Sequence, residues 1–537
     1  MNLKNVLELA DKAIANNNHV YAKSLIEKEL ELNPNIFELN FKLGLLHHIL
    51  GDLKKALNFY EKTTLLNPNF SPAYCNLGIV YDKLDKRTLA IKYYQNAIEK
   101  DPKNFKAYFN LGNCYLNNDD LINAEKYYYL SISIQHNNIH PYINLFQIYD
   151  RSNNLKKLDE VLQKAQNIFK NNSIISFFEG ISEYRKNNYQ KTINIFEKLN
   201  LDPRDISKNI TKFNTLAKCY DHLGMFENAF KSFTITNTLI RDTYEKKVDK
   251  KNYIKTIEER FNFFSQKNFK NISSRIVEDQ NIDPTFLVGF PRSGTTLLDT
   301  ILRTHSSIEV LEEKPIVDKL IKELHLHLNK DFMKLDKIDV NIKQTLRSLY
   351  FETRNNFVSN EKNKLYIDKL PLNIIYIGEL SQIFPNSKFI LALRNPFDSV
   401  MSCFMQPFTP NDAMANFYNL SDATKLYDEV FKLWMQYEKK LKIKFHKIKY
   451  EEIVEDFDLS ISSLLKFLDL EWDNKLKEFY KTAENRGIIN TPSYNQINKP
   501  IYNKSIGRWK NYKNHFEGLE PILKKWSSNF NLSLIHI

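Results

Sequence analysis

The stretch Phe286-Leu-Val-Gly-Phe-Pro-Arg-Ser-Gly-Thr-Thr-Leu-Leu-Asp-Thr-Ile-Leu302 decides the fold of the second half of this chain. Its apolar start predicts a short buried strand, and the apolar side chains after Thr295 recur at helical spacing. Between them, Gly289 to Gly294 predict a tight loop. Such a loop directs backbone N–H groups and the positive end of a helix dipole at one point, which favours phosphate or sulfate. The alternative is a turn that only joins strand to helix.

The spacing of Gly289 and Gly294 is also that of nucleotide-triphosphate loops. Those loops require Lys at the next position, where this chain has Thr295. The cation lies inside the loop instead, as Arg292. The loop therefore predicts an anion site and disfavours the alternative of a kinase-like phosphate-loop transferase.

The motif Pro291-Arg-Ser-Gly-Thr-Thr296 resembles the phosphosulfate-binding loop of the sulfotransferase family. The resemblance covers about residues 283–525. It is closest to bacterial proteins that join tetratricopeptide repeats to this domain, and more distant to tyrosyl-protein sulfotransferases. It implies an α/β domain with a P-loop-like parallel sheet sandwiched by helices. It also implies 3′-phosphoadenosine 5′-phosphosulfate as co-substrate, a hydroxyl-bearing acceptor and no metal.

The resemblance implies catalytic residues as well. In the family, a carboxylate at this distance from the loop is the general base for the acceptor. Counting eight residues from His305 selects Glu313, with Glu312 as the alternative. Lys369, in an Asp-Lys-x-Pro motif, would act with Arg292 on the sulfuryl oxygens or the leaving phosphate.

Donor-binding residues follow from the same resemblance. The apolar run 389–393 predicts a central parallel strand, and open α/β sheets bind ligands at the carboxyl ends of their strands. Arg394 follows that strand, and with Ser402 it matches the family's 3′-phosphate site. In tyrosine-modifying relatives an arginine follows four residues later, where this chain has Gln406. The predicted donor-binding residues are Pro291, Arg292, Ser293, Gly294, Thr295, Thr296, Arg394, Ser402, Tyr450, Ser505, Gly507, Arg508 and Trp509.

The last four of these residues belong to a stretch, 499–512, that resembles the family's closing segment over the donor. Tyrosyl-protein enzymes have a catalytic serine two residues before their tryptophan. This chain has Gly507 there, which leaves Ser505 as the nearby hydroxyl and a further catalytic candidate.

The first half of the chain repeats every 34 residues, which is the tetratricopeptide period. Small residues recur where the two helices of a repeat pack closely, and Pro separates each unit from the next. The positions that share this interval are Asn33, Asn67 and Asp101 before Pro; Gly44, Gly78 and Gly112; and Ala22, Ala56, Ala90 and Ala124. We expect about six repeats, forming a solenoid whose concave groove binds a protein or peptide. The alternative is that the array only supports the catalytic domain or its dimer.

Composition bounds the remaining possibilities. The chain has 537 residues and a net charge of +12 without a long basic run, so a nucleic-acid partner is not expected. Four scattered cysteines suit a reducing compartment, and no apolar stretch approaches the ~20 residues of a membrane span. Together with the absence of a secretory leader pattern, these features predict the cytoplasm. His325 and His327 would suit a metal only on a strand, and their surroundings predict a helix.

We therefore predict a tetratricopeptide solenoid over residues 1–236, a helical linker over 237–281 and a sulfotransferase domain over 282–537. The predicted reaction is sulfuryl transfer to a hydroxyl on a protein, such as tyrosine, or on a saccharide, with a small alcohol as a further option. The alternative from another class is a repeat scaffold whose C-terminal domain has lost catalysis.

Overall fold

The chain divides into two compact units, Met1–Leu201 and Asp202–Ile537. The computed structural model describes residues 3–266, 281–358, 364–485 and 505–532.

The first unit consists of helices that follow one another in antiparallel pairs at close to the predicted interval. Side chains of Asn or Asp before several helices accept hydrogen bonds from the first turn, as Asp52 does from Lys55 N at 3.1 Å. The helices are α1 (Leu3–Ala15), α2 (His19–Leu32), α3 (Phe37–Ile49), α4 (Leu53–Leu66), α5 (Ser71–Lys83), α6 (Arg87–Lys100), α7 (Phe105–Asn117), α8 (Leu121–Ile134), α9 (His140–Arg151), α10 (Leu155–Ile168), α11 (Ser173–Arg185) and α12 (Tyr189–Lys198).

A glycine in the first helix of a pair lets an aromatic ring of the second helix lie against it. A Cβ atom added at Gly78 would lie 2.6 Å from the Tyr94 ring, and one at Gly112 would lie 2.7 Å from the Tyr128 ring. Both tyrosines are almost fully buried. The recurring small residue is therefore a packing requirement, as the sequence predicts.

The second unit contains a parallel sheet and helices on both of its faces. Its helices are α13 (Ile206–His222), α14 (Phe226–Tyr244), α15 (Lys250–Gln266), α16 (Thr295–Thr304), α17 (Ile316–His327), α18 (Val340–Asn355), α19 (Ile377–Ile383), α20 (Pro396–Phe404), α21 (Leu420–Lys440), α22 (Tyr450–Glu455), α23 (Phe457–Phe467), α24 (Phe479–Asn485) and α25 (Glu520–Asn529). Its strands are β1 (Thr285–Gly289), β2 (Ile308–Glu312), β3 (Leu365–Lys369), β4 (Lys388–Leu393) and β5 (Lys444–Lys449).

The five strands are arranged in the order β2-β3-β1-β4-β5, and every neighbouring pair is parallel. Successive side chains of a strand alternate between the two faces. Leu287 and Ile390 pack with α16 and α23 in the core of one face. Phe286 meets Tyr350 of α18 on the other face, at a ring-centroid distance of 6.1 Å. The predicted fold class, a helical repeat solenoid with a helix-covered parallel sheet, is confirmed.

Helix α15 belongs to the core of the second unit. Phe263 and Phe264 are fully buried, and Arg260 forms an ion pair with Glu379 in which both side chains are almost inaccessible. The guanidinium of Arg260 also lies 4.8 Å from the ring centroid of Tyr376. Residues 267–280 of the predicted linker lie outside the described residues.

The pair α13–α14 also falls in the second unit, although its sequence continues the repeat pattern. The boundaries at residues 236 and 281 stay predictions. Within the described ranges, no helix combines the length and apolarity that crossing a membrane requires.

Candidate functional site

Predicted site residues lie at or just after the carboxyl ends of all five strands. Since parallel strands end at the same edge of a sheet, this order brings residues from distant parts of the chain together. Following the strands in chain order, these residues are the loop 290–294, Glu312 with Glu313, Lys369, Arg394 and Tyr450.

The loop after β1 has the shape expected of an anion-binding turn. Arg292 and Gly294 both have left-handed backbones, with φ of +68° and +91°, and α16 starts directly after them. A Cβ atom at Gly289 would lie 2.6 Å from Ala392 O, so only glycine allows this close approach to β4. A Cβ atom at Gly294 would lie 2.9 Å from Tyr450 Cδ2, which places Tyr450 directly beneath the loop.

The other loop residues are held by their surroundings. Pro291 is buried, and its carbonyl accepts a hydrogen bond from the thiol of Cys403 at 3.4 Å. Ser293 and Thr295 are buried, whereas Thr296 is partly exposed on the first turn of α16. A helix of this length presents unpaired N–H groups at its first turn, so this turn is suited to an anion.

Lys369 is fully buried and surrounded by carboxylates. Its ammonium donates to Glu313 Oε1 at 2.9 Å and to Glu312 Oε1 at 3.2 Å, and Asp299 Oδ2 lies 4.0 Å away. Asp299 also pairs with Arg303 at 2.9 Å. A buried ammonium is stable only when it is paired in this way. The side chain of Glu313 is 45% exposed and that of Glu312 is 15% exposed, so Glu313 is the more accessible of the two from solvent.

Glu313 has an unusual backbone. Its φ is +49°, and its N–H donates to Lys369 O at 2.8 Å. A left-handed conformation is uncommon for a residue other than glycine, and residues of this kind concentrate at functional sites. The turn brings the Glu313 carboxylate back to the end of β3.

Arg394 connects the loop to the C-terminal segment. Its Nη1 donates to Arg292 O at 3.1 Å, its Nη2 donates to Ser505 O, and its guanidinium lies 4.9 Å from the centroid of the Tyr450 ring. Arg292 in turn donates from Nε to Ser402 Oγ at 3.0 Å. The predicted 3′-phosphate residues therefore lie next to the loop.

We call residues 505–516 the closing segment. Its Gly507 N and Trp509 N donate to the two carboxylate oxygens of Asp398 in α20, at 2.7 and 3.0 Å. The Trp509 ring stacks on Phe397 at a centroid distance of 4.2 Å. The Ser505 side chain is partly exposed beside Arg394, whereas Arg508 pairs with Asp221. Residues 499–504 of the predicted closing stretch lie outside the described residues.

Buried polar atoms around the loop indicate where a polar ligand fits. In the described part of the chain, Ser293 Oγ, Arg394 Nε and Trp509 Nε1 are buried and have no hydrogen-bond partner. Buried donors without partners are rare, because each one has a desolvation cost of about 1–3 kcal/mol. Ser293 belongs to the loop and Arg394 donates to Arg292 O, so two of these unpaired donors lie at the loop.

Sequence reasoning missed three carboxylates that the structure brings to this site. Asp299 and Asp398 lie within helices, where an isolated acidic residue is normally expected to be exposed to solvent. Asp398 comes three residues after the helix-capping Asn395, and an acid at that position is usually a capping residue. Glu451 accepts from Asn395 N at 2.8 Å, and burial raises the pKa of its carboxyl.

The paired histidines of α17 do not come together as ligands. Burial lowers the pKa of His325, and His327 lies 3.5 Å from Glu323. Among the described residues, no cluster of three or more His, Cys, Asp or Glu side chains is placed to hold a metal.

Comparison with protein families agrees with this architecture. The sulfotransferase family model matches residues 284–474. Tetratricopeptide-repeat models match residues 37–70, 71–104 and 93–126. The chain is thus a tetratricopeptide-repeat protein that carries a domain of the sulfotransferase family, and the predicted resemblance is confirmed.

Its relatives cover only part of it. An uncharacterized protein of Aquifex aeolicus is 28% identical over 249 residues, which are 45% of this chain and 32% of that protein. Protein-tyrosine sulfotransferase 1 of Danio rerio is 22% identical over 250 residues, which are 45% of this chain and 69% of that protein. The crystal structure of MamA is 26% identical, with a TM-score of 0.27, and the match covers 29% of this chain and 95% of that one.

Proposed function

We propose that this protein transfers a sulfuryl group from 3′-phosphoadenosine 5′-phosphosulfate to a hydroxyl acceptor. The observation that carries the proposal is the pairing of the buried Lys369 with Glu313 at the same sheet edge as the loop 290–294. A cation for the transferred group, a base for the acceptor and an anion-binding loop then lie side by side.

Donor binding is assigned to two groups of residues. Backbone N–H groups from Ser293 to Thr296 would hold the 5′-phosphate at the start of α16. Arg394 and Ser402 would hold the 3′-phosphate, because a guanidinium contacts phosphate oxygens through two parallel hydrogen bonds. The hydrogen bond from Arg292 to Ser402 joins the two groups.

Catalysis is assigned to Glu313, Lys369 and Arg292. Glu313 would accept the proton of the attacking hydroxyl while the new oxygen–sulfur bond forms and the bond from sulfur to the phosphate oxygen breaks. An ammonium has three donors. With hydrogen bonds to Glu312 and Glu313, Lys369 has one donor left for a sulfuryl oxygen. Positive charge placed there, and on Arg292, would stabilise the charge that develops during transfer.

Two other functions are less well supported. A kinase-like transferase would require Lys where this chain has Thr295. A catalytically inactive scaffold would not need a buried Lys369 paired with two glutamates beside the loop.

The acceptor is proposed to be a hydroxyl on a protein, such as a tyrosine, or on a saccharide. The names of several relatives, protein-tyrosine sulfotransferases of animals, support the first option. The repeats of the first unit would hold a protein or peptide partner. The four cysteines are free and buried, which fits the reducing cytoplasm proposed as the location.

The test is to incubate the whole chain with donor labelled in its sulfuryl group and with peptides, glycans and small phenols. We expect label to move to a hydroxyl in at least one class of acceptor. Donor binding without transfer to any acceptor would favour the scaffold, and phosphoryl transfer from ATP would favour the kinase-like reaction.

A further inference from the structure

The closing segment is attached to α13–α14, the helix pair that continues the repeat pattern. Asp221, near the end of α13, accepts hydrogen bonds from Arg508 Nη2 at 2.5 Å and from the Tyr512 hydroxyl. The Asp221 side chain is only 11% exposed. Since a helix dipole is negative at its C-terminal end, a carboxylate there is unfavourable unless a cation compensates it, as Arg508 does.

Aromatic rings extend this attachment along α14. The Phe230 ring stacks on His515 with a centroid distance of 3.5 Å and an interplanar angle of 2°. The Phe226 ring meets Tyr512 edge-on at 5.4 Å. The outer side of the closing segment is therefore packed against both helices of the pair.

The inner side of the same segment faces the proposed donor site. Gly507 and Trp509 donate their amides to Asp398, which lies one turn before Ser402 on α20. Ser505 O accepts from Arg394. A displacement of the closing segment at Arg508 would therefore affect both proposed 3′-phosphate residues. It would reach Arg394 through Ser505, and Ser402 through Asp398 on the same helix.

We propose that Asp221 is a positioning residue for donor binding, acting through Arg508 and Tyr512 on the closing segment. This inference rests on the proposed function, because it takes the donor to lie between the loop 290–294 and the closing segment. The pair α13–α14 then serves the sulfotransferase domain, although its sequence follows the repeat pattern.

The alternative explanation is that Asp221 only stabilises the fold. The chain provides a matched control that separates the two explanations. Asp283 is also a buried aspartate that receives an arginine, Arg347, at 2.5 Å, and a backbone amide, Asn386 N, at 2.7 Å. It precedes β1 and thus lies at the opposite sheet edge from the site. Removing the charge at Asp221 or Asp283 should lower stability in a similar way, but only the first change reaches the closing segment.

The test uses the whole chain and its Asp221→Asn, Tyr512→Phe and Asp283→Asn variants. Calorimetry gives the affinity for adenosine 3′,5′-bisphosphate, and thermal unfolding gives the stability. We expect Asp221→Asn to weaken binding about tenfold, because it removes the ion pair with Arg508, and Tyr512→Phe to weaken it about threefold, because it removes one hydrogen bond and keeps that ion pair. Asp283→Asn should lower the unfolding temperature and leave the affinity unchanged.

The double variant Asp221→Asn/Tyr512→Phe should bind little more weakly than Asp221→Asn alone, because both changes act on one contact. Hydrogen exchange at the amides of Gly507 and Trp509 should become faster in Asp221→Asn and stay unchanged in Asp283→Asn. If Asp221→Asn does not fold, Tyr512→Phe decides the question, since it keeps the ion pair. Unchanged affinity in the variants at Asp221 and Tyr512, or an equal loss in Asp283→Asn, would overturn the inference. Failure of the unaltered chain to bind the nucleotide would overturn the donor site itself.

Discussion

The ammonium of Lys369, which is fully buried, donates to Glu313 Oε1 at 2.9 Å, although the side chain of Glu313 is 45% exposed. The pair thus connects the interior of the sheet to the surface that an acceptor would approach. The contact with the ammonium holds the Glu313 side chain in place at that surface.

The first prediction concerns Glu313. Glu313→Gln keeps the size of the side chain and a hydrogen-bond acceptor for Lys369, but it cannot accept a proton. A general base contributes about 10²–10⁴-fold, so turnover should fall by that factor. Steady-state kinetics on any active acceptor measures the loss, and calorimetry should find nearly unchanged donor affinity.

Glu312→Gln is the matched control, since Glu312 contacts the same ammonium at 3.2 Å but is only 15% exposed. We expect a much smaller loss of turnover. A larger loss in Glu312→Gln than in Glu313→Gln would identify Glu312 as the base.

The second prediction concerns the 3′-phosphate. Arg394→Ala should weaken the binding of adenosine 3′,5′-bisphosphate about ten- to a hundredfold, because a charged hydrogen bond contributes about 1.5–3 kcal/mol. The loss should be smaller for AMP, which lacks the 3′-phosphate. Lys388→Ala is the control, since it removes a cation from the opposite end of the same strand, where Lys388 pairs with Asp469. If the unaltered protein binds AMP as tightly as the bisphosphate, the 3′-phosphate site is absent.

The third prediction concerns the pH dependence of stability. Burial raises the pKa of Asp368, which accepts a hydrogen bond from the Tyr350 hydroxyl at 3.2 Å, to about 7. In the unfolded chain this carboxyl has a pKa of about 3.9. Between these values the folded protein holds a proton that the unfolded chain has released, so the free energy of unfolding falls as the pH rises through this window.

Asp368→Asn removes this titration while keeping the shape of the side chain. The variant should therefore gain stability relative to the unaltered protein as the pH rises from about 5 to about 7, by about 1.4 kcal/mol for each pH unit, and the difference should level off above that pH. Thermal unfolding across this range measures the difference. A difference that does not change with pH would mean that Asp368 is ionised in the folded protein.

The fourth prediction concerns the repeats. A fragment of residues 202–537, the second compact unit, should bind the donor and act on small phenols. It should need a higher concentration of any protein acceptor that the repeats hold. A partner bound by the repeats would present its hydroxyl at high effective concentration, so the loss should appear mainly as a higher KM. Unchanged kinetics on that acceptor would contradict recruitment, and failure of the fragment to fold would favour a supporting role.

A fragment of residues 237–537 is the informative comparison, because it begins at the boundary that the repeat pattern suggests. It lacks Asp221, so we expect weaker donor binding than in the longer fragment. Equal donor affinity of the two fragments would place the functional boundary at residue 236 instead.

The repeats and the anion-binding loop could be predicted from the sequence because both depend on neighbours along the chain. The two helices of a tetratricopeptide unit are neighbours along the chain, so Gly78 and Tyr94, which are in contact, recur at positions that the repeat spacing reveals. The loop 290–294 needs only a strand before it and a helix after it. The resemblance to sulfotransferases then placed Glu313, Lys369 and Arg394 near that loop.

The sequence by itself thus determined the fold class, the position of the loop and the set of candidate residues. Only the tertiary structure decided which side chains pair: Lys369 with Glu313, 56 residues apart, Asp398 with the amide of Gly507, 109 apart, and Asp221 with Arg508, 287 apart. These contacts depend on strand order and on helix packing across the sheet, which no local pattern encodes. From the sequence alone, an acid such as Asp221 is expected to be solvated, because its cation, Arg508, lies 287 residues further along the chain.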